Sequence, residues 1–244
     1  MRNIRLDICY DGTRYKGWQR LAGTNNTIQE KLEQTISRLL GESVEISGSG
    51  RTDAGTHALG QVVNFHCSST MPCDEILKGL RMYLPEDIGV YSCRNVSERF
   101  HARLNAKTKT YRYRLWNSTD PCVFDRKYVH IDPRNFDVIK MQKAAESYIG
   151  THNFSAFCSN KKMKKSTVRT IYRFDVKQIG NELVFTVSGN GFLQHMVRIM
   201  VGTLLEIGAN VRPADSIPAL FGGERADAGS AVPATGLCLM EVTY

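Results

Sequence analysis

The sequence predicts an α+β fold in which each half of the chain mixes strands and helices, and three observations carry that prediction. Short runs of alternating apolar and polar residues recur along the chain, the mark of half-buried strands. Between them lie amphipathic stretches with apolar residues three and four apart, bounded by capping residues, as in helices laid on a sheet face. The chain has 244 residues, 42% of them hydrophobic, enough for one large core or two small ones.

Residues Ile4 to Tyr10 read as the first strand. A turn-rich stretch follows from Asp11 to Asn26, with Gly12, Gly17 and Trp18. Thr27 then opens a helix as its N-cap, with Glu30 three residues on as the reciprocal half of a capping box. Ile28, Leu32, Ile36, Leu39 and Leu40 form its apolar stripe, and Gly41 ends it. Val44-Glu45-Ile46 and Gln61 to Phe65 read as strands on either side of a glycine-rich loop. A second helix runs from Cys73 to Leu84 and stops before Pro85, and Ile88 to Val96 is another strand.

Around Asn105 the chain passes to its second half, giving an N-terminal half 1–105 and a C-terminal half 106–244 with no flexible linker between them. Strands are expected at Thr108–Trp116, Val168–Gln178, Leu183–Ser188 and Leu237–Val242. Helices are expected at Asp137–Ile149, ended by Gly150, and at Gly191–Ile207.

Lys and Arg total 32 against 24 acids, a net charge of +8. Two clusters raise a nucleic-acid reading above simple solubility: Arg14, Lys16 and Arg20, and Lys161, Lys162, Lys164, Lys165 and Arg169. The seven cysteines are scattered without a C-x-x-C pair, which fits a reducing compartment and no disulfide framework. The six histidines form no metal-binding spacing, so no metal is expected. No apolar run approaches membrane-spanning length. Residues 1–8 alternate like a strand and lack the apolar core of a signal peptide, so a cytoplasmic protein is expected.

The most informative stretch is Gly48-Ser49-Gly50-Arg51-Thr52-Asp53-Ala54-Gly55-Thr56-His57-Ala58. It sets Asp53 two residues after Arg51 inside a glycine-bracketed turn. Glycines allow positive φ and the close approach of a bulky ligand. A neighbouring cation favours the charged form of a carboxylate, which suits a nucleophile or a base. Ordinary Asx-turn chemistry is the plain alternative. A phosphate loop fails, because Thr56-His57 stands where Lys-Ser/Thr is needed. A dinucleotide fingerprint fails because it requires glycine at position 53.

Three further segments carry chemistry. In the run Lys107 to Leu115 strand alternation puts Lys107, Lys109, Tyr111 and Tyr113 on one face and Arg112 and Arg114 on the other. That is either a solvated strand or a basic face with an aromatic for base stacking. The segment Phe192 to Gly202 is apolar nearly all round, with Arg198 in its middle. A buried guanidinium needs a partner, and the candidates are Asp53, Glu206 or solvent. Pro233 to Met240 starts a strand after a glycine turn, and Leu237 there is either core or one wall of a base pocket.

These segments, with Tyr10-Asp11-Gly12-Thr13-x-Tyr15-x-Gly17-Trp18-Gln19 and Phe100-His101-Ala102-Arg103, resemble in type and order the motifs of the bacterial TruA-type tRNA pseudouridine synthases, over nearly the whole chain. The resemblance implies a pseudouridine synthase fold, with two similar mixed α/β halves sharing a long, mainly antiparallel sheet, helices on one face and a basic cleft between them. It implies a cofactor-free homodimer that isomerises uridine to pseudouridine at positions 38, 39 and 40 of the tRNA anticodon stem-loop. On the same basis Asp53 is the essential aspartate, Tyr111 the active-site tyrosine against the uracil, and Arg198 the basic partner of Asp53. Arg51 helps to turn the nucleotide out, and Leu237 is the apolar pocket residue. Arg103 and Lys109 fall within matching motifs as further substrate-binding candidates. Where family members commonly carry valine this chain has Thr56, and Gln194 and Ile199 also depart from frequent choices. The competing functions are a tRNA-binding or tRNA-folding protein without catalysis, built on the same basic patches, and a small-molecule thiol or phosphate enzyme, which the scattered cysteines and missing loop lysine disfavour.

Overall fold

The computed structural model describes residues 1–160, 163 and 165–244. Lys161, Lys162 and Lys164 of the second basic cluster therefore lie outside the described residues. The chain forms two compact units, one of residues 1–107 with 238–244 and the other of residues 108–237. The last strand from Cys238 onward thus belongs with the first unit, whereas the sequence reading ran the C-terminal half through to Tyr244.

The first unit opens with β1 (Arg2–Tyr10), followed by α1 (Ile28–Leu40), β2 (Ser47–Gly48), β3 (His57–Cys67), α2 (Cys73–Tyr83) and β4 (Ile88–Val96). β1 pairs antiparallel with both β3 and β4. Period-two alternation sends Ile4, Leu6 and Ile8 to one face, where all three are fully buried. The stripe of α1 behaves as its spacing requires: Ile28, Leu32 and Ile36 are buried, and Gly41 ends the helix at φ 70° with its N–H on Ser37 O. Only half of the capping box forms. Thr27 Oγ1 accepts the Glu30 N–H at 3.3 Å, while the Glu30 carboxylate accepts Gln34 Nε2 at 2.8 Å.

The strand expected at Val44-Glu45-Ile46 is absent. Its amide protons go to side chains of α1 instead of a neighbouring strand: Val44 N donates to Ser37 Oγ at 2.9 Å and Ile46 N to Glu33 Oε1 at 3.0 Å. The only strand on that side of the loop is the two-residue β2, which pairs with β3.

The second unit contains β5 (Thr108–Trp116), β6 (His130–Ile131), α3 (Val138–Ala145), β7 (Gly150–Asn153), β8 (Val168–Ile179), β9 (Glu182–Gly189), α4 (Met196–Gly208) and α5 (Ile217–Leu220). Strands β5, β9, β8 and β7 are neighbours in that order and antiparallel throughout, with β6 parallel to β5. The expected helix at 137–149 is shorter. Asp137 caps it through Lys140 N, a tighter turn follows at Glu146–Tyr148, and Gly150 at φ 111° opens β7. Tyr148, Phe154, Phe157 and Phe174 fill the core there, with the Tyr148 and Phe174 rings stacked at 5.5 Å.

β10 (Leu237–Thr243) closes the chain and pairs in parallel with β3 through Cys238 and Leu239. The fold is α+β with mainly antiparallel strands, as the sequence predicts. Among the described residues no helix is long and apolar enough to cross a membrane.

The half-formed cap predicts an asymmetry. Thr27→Ala lowers the unfolding free energy by about 1 kcal/mol, whereas Glu30→Ala changes it by less than about 0.5 kcal/mol. Urea unfolding of the two variants measures both.

Candidate active site

The Asp53 loop is held from below by a chain of buried polar groups. Ser49 N donates to Val62 O at 2.8 Å, which carries the β2–β3 pairing one residue into the loop. Gln61, wholly buried on β3, accepts the Ser49 hydroxyl and donates Nε2 to Gly50 O at 2.9 Å and to Tyr10 OH at 3.4 Å. Tyr10 OH is in turn 2.8 Å from Thr52 Oγ1. Burial raises the Tyr10 phenol above its ordinary range, outweighing the hydrogen bonds from Thr52 and Gln61, so the hydroxyl keeps its proton for this network. Leaving any of these groups unpaired costs about 1–3 kcal/mol, which makes the loop conformation over-determined.

The turn-rich segment after β1 closes over the same loop. Trp18 N donates to Thr52 O at 3.0 Å, and Gly12 N to His57 Nδ1 at 3.1 Å. His57 Nδ1 therefore accepts in this arrangement, although Asp11 Oδ1 lies 3.1 Å from the same nitrogen. Two glycines permit the close approach. A Cβ on Gly12 would stand 2.0 Å from Thr56 O. Gly17 has φ +92°, and a Cβ there would stand 2.9 Å from Thr52 O. The segment is locked to α1 by a second polar chain: Gln19 Nε2 and Arg20 N both donate to Gln29 Oε1, and Arg20 Nη1 pairs with Glu33 at 2.9 Å. Glu33 thus joins the helix, the entry to β2 through Ile46 and the covering segment.

Within this frame Thr52 and Thr56 are buried, Asp53 is half-buried, and Arg51 and Ala54 are exposed. A turn closes Asp53 to Thr56, with Thr56 N on Asp53 O at 3.1 Å. The Phe100-to-Arg103 segment is fixed by its backbone: Asn3 Nδ2 donates to Phe100 O, Ala102 N to Asn64 Oδ1, and Tyr244 OH to Ala102 O, all at 2.8 Å. Its Arg103 is exposed.

In the second unit Tyr111 and Tyr113 share the buried face of β5 while Arg112 is exposed, as the alternation requires. Tyr111 is 7% exposed and meets the Phe192 ring edge-on, centroids 5.2 Å apart. Tyr113 is fully buried, and its hydroxyl donates to Pro233 O at 3.0 Å. Lys109 is half-buried two residues before Tyr111. Arg114, on the strand face opposite Tyr111, is committed to Glu182 at 2.6 Å and to Asp125 at 3.2 Å. Those bonds push its guanidinium above its ordinary value.

Arg198 sits differently from its expected place in mid-helix. His195 adopts φ +60°, so α4 starts at Met196 and Arg198 lies in its first turn, half-buried. Its Nε donates to Val232 O at 2.6 Å, and Val232 N returns a bond to Arg198 O at 3.3 Å. Glu206, one candidate partner, is instead bonded to Arg212 and Ser230. Arg198 and Tyr113 thus grip adjacent carbonyls of the segment leading to Leu237, which is buried at the start of β10. Sequence reasoning missed Phe192 as the buttress of Tyr111 because the residue was assigned to a helix.

Two stretches of the chain, residues 8–105 and 144–244, match the family model for tRNA pseudouridine synthase. The chain belongs to the tRNA pseudouridine synthase family. The tRNA pseudouridine synthase A 2 of Bacillus cereus (strain ZK / E33L) is 43% identical over 246 residues, covering 100% of both chains. The tRNA pseudouridine synthase A 1 of Clostridium tetani (strain Massachusetts / E88) is 44% identical over 245 residues, again over 100% of both. The solved archaeal box H/ACA sRNP Nop10-Cbf5 complex aligns at TM-score 0.38 and 12% identity over 83% of this chain and 44% of that chain, a likeness too loose to add to the assignment. The protein is therefore an isomerase of the bacterial TruA type. The family-model match includes Asp53, Arg198 and Leu237. Tyr111 and Lys109 fall between its two stretches and are spanned by the full-length relatives.

The Thr56 departure from valine has a physical consequence. Its hydroxyl is buried with no hydrogen-bond partner among the described residues. Thr56→Val keeps the branched shape and removes the orphan, so the synthase gains about 1 kcal/mol of stability, read from the shift of the urea midpoint. Gly17→Ala acts in the opposite sense. It costs about 1–3 kcal/mol through positive φ and backbone contact, and it lowers turnover by displacing the Asp53 loop. A variant with wild-type stability and turnover would show that the covering segment does not set the loop.

Proposed function

We propose that this synthase isomerises uridine to pseudouridine in the anticodon stem-loop of tRNA, at positions 38, 39 and 40, as a cytoplasmic, cofactor-free homodimer. The observation that carries the reading is the presentation of Asp53: a half-buried carboxylate on a loop whose flanking Thr52 and Thr56 are buried and tied. A structural turn has no need of that many buried polar bonds.

The reaction conserves atoms and oxidation level. The N1–C1′ bond breaks, the uracil turns, C5 bonds to C1′, the C5 proton is lost and N1 gains one. In this reading Asp53 either attacks C1′ as a nucleophile or removes the C2′ proton as a base, giving a glycal. Arg198 is its countercharge. With Nε on Val232 O, its planar guanidinium is held in one orientation. Tyr111, held edge-on by Phe192, is the platform for the uracil and the candidate base for the C5 proton. Leu237 supplies an apolar wall. Arg51, exposed and without a hydrogen bond or ion pair among the described residues, is available to help turn the nucleotide out. Extruding a paired base costs a few kcal/mol, offset by phosphate contacts from Arg103, Lys109 and other exposed cations.

The test uses unmodified tRNA and carbodiimide-dependent primer extension. Wild-type protein converts U38, U39 or U40. Asp53→Asn binds tRNA with near wild-type affinity and converts nothing measurable. Arg198→Lys loses on the order of 100-fold in turnover, because an ammonium does not reproduce the planar bidentate fork. Binding without conversion by the wild-type protein would establish the non-catalytic tRNA-binding role instead.

A further inference from the structure

The turn that carries Arg103 is exposed, yet its backbone is fully hydrogen-bonded. Every amide from Phe100 to Asn105 has a partner within the protein. Phe100 N donates to Ser97 O at 2.9 Å, and Asn105 N to His101 O at 3.0 Å. His101 N donates to Asn105 Oδ1 at 2.7 Å, and Ala102 N to the buried Asn64 Oδ1 at 2.8 Å. His101 Nδ1 accepts both Arg103 N at 3.1 Å and Leu104 N at 3.4 Å, so its ring proton sits on Nε2. In an ordinary surface loop water satisfies such amides. The Arg103 guanidinium, in contrast, makes no hydrogen bond or ion pair among the described residues.

Beneath the turn lies a fixed aromatic support. Tyr244 OH donates to Ala102 O at 2.8 Å. Burial raises the Tyr244 phenol above its ordinary range despite the charge of Arg5, so the hydroxyl keeps its proton for this bond. The Tyr244 ring meets Phe100, centroids 5.0 Å apart, and takes the Arg5 guanidinium over its face at 4.6 Å. Asp7 fixes Arg5 in turn, accepting its Nε at 2.9 Å and its Nη2 at 2.7 Å, while the other Asp7 oxygen accepts the Ser92 hydroxyl. A cation over an aromatic face gains strength as water is removed, and only 15% of the Arg5 side chain is exposed. Thr243 O accepts Lys107 N at 2.9 Å, which pins the chain beside Tyr244. A line of contacts from Asp7 through Arg5 and Tyr244 to Ala102 therefore ends on the residue next to Arg103, all of it within the first unit.

We propose that Tyr244 and His101 are positioning residues for tRNA binding, which hold the Arg103 turn in the conformation that brings its guanidinium to an RNA backbone phosphate. The inference rests on the proposed tRNA reaction and extends it: Arg103 is a substrate contact there, and these two residues aim it. Neither needs to touch the RNA itself. A turn ordered in advance spares the entropy of ordering it on binding. Loss of either hold therefore weakens affinity and leaves the chemical step on saturating tRNA as it was. The Asp53 loop is held by separate bonds from Tyr10 and Gln61 and is not part of this line.

The test measures tRNA affinity by filter binding over a range of salt, with turnover on the same full-length variants. Tyr244→Phe keeps the ring and removes only the bond to Ala102 O. It binds about 5-fold more weakly, raises KM equally and keeps kcat within about 2-fold. Its plot of log affinity against log salt becomes shallower by up to about 1, as for Arg103→Gln, although no charge has been removed. Tyr244→Phe combined with Arg103→Gln is no weaker than Arg103→Gln alone. His101→Leu also loses about 5-fold, and His101→Asn restores binding, because an asparagine oxygen accepts the amide two residues on. Additive losses in the double variant, an unchanged salt slope in Tyr244→Phe, or equal binding by His101→Leu and His101→Asn would overturn the inference. Wild-type protein that binds tRNA without converting it removes the catalytic reading alone, because affinity still reports on the turn. Conversion at U38, U39 or U40 with unchanged affinity in Arg103→Gln removes this inference alone. Should Tyr244→Phe fail to fold, the two His101 variants decide.

Discussion

The hydrogen-bonded path from Tyr10 through Thr52 and Gln61 to Ser49 and Gly50 is the constraint on which the first unit's site depends. Tyr10, Ser49, Thr52 and Gln61 are removed from water, where an unmade bond costs its full desolvation. The loop therefore has one conformation that satisfies all of them. Asp53 is presented from a rigid support, with its own carbonyl closing the turn to Thr56. The covering segment presses on the outside of the same loop, and Glu33 ties the segment, the helix and the strand entry together. In the proposed chemistry Asp53 gains from such preorganisation by either route, because positioning supplies much of a catalytic advantage.

The second unit uses the same device on a smaller scale. Tyr113 and Arg198 bond to the carbonyls of Pro233 and Val232, so the segment before Leu237 is drawn onto β5 and the first turn of α4 at once. Phe192 lies outside α4 because His195 takes a left-handed conformation, and this frees its ring to support Tyr111. Both units thus place a chemically useful side chain beside a backbone that several other residues hold fixed.

The positive charge of the chain is less available than its count implies. Arg14 is bonded to Asp87, Arg20 to Glu33, Arg114 to Glu182 and Asp125, and Arg2 to carbonyls and a thiol. Exposed side chains such as Arg51 and Arg103 carry more of the argument for a phosphate backbone than the overall +8 does. The cluster at Arg14, Lys16 and Arg20 therefore weighs less than its spacing suggests, since two of its three members already face carboxylates.

Local rules settled much of this protein. The strands at Ile88–Val96 and Thr108–Trp116, the helix closed by Gly41 and the buried face shared by Tyr111 and Tyr113 follow from periodicity and capping, because those signals lie within a few residues of one another. The family was legible too, since its motifs are contiguous runs. What the sequence could not supply were the partners of side chains far apart along it. The amides of Val44 and Ile46 look like strand amides until Ser37 and Glu33 take them. Arg198 looks like a mid-helix charge until His195 delays the helix and Val232 accepts its Nε. Propensity and pattern act over one or two turns of chain, whereas buried polar bonds are chosen by whichever groups the packing brings together, and only the tertiary structure makes that choice.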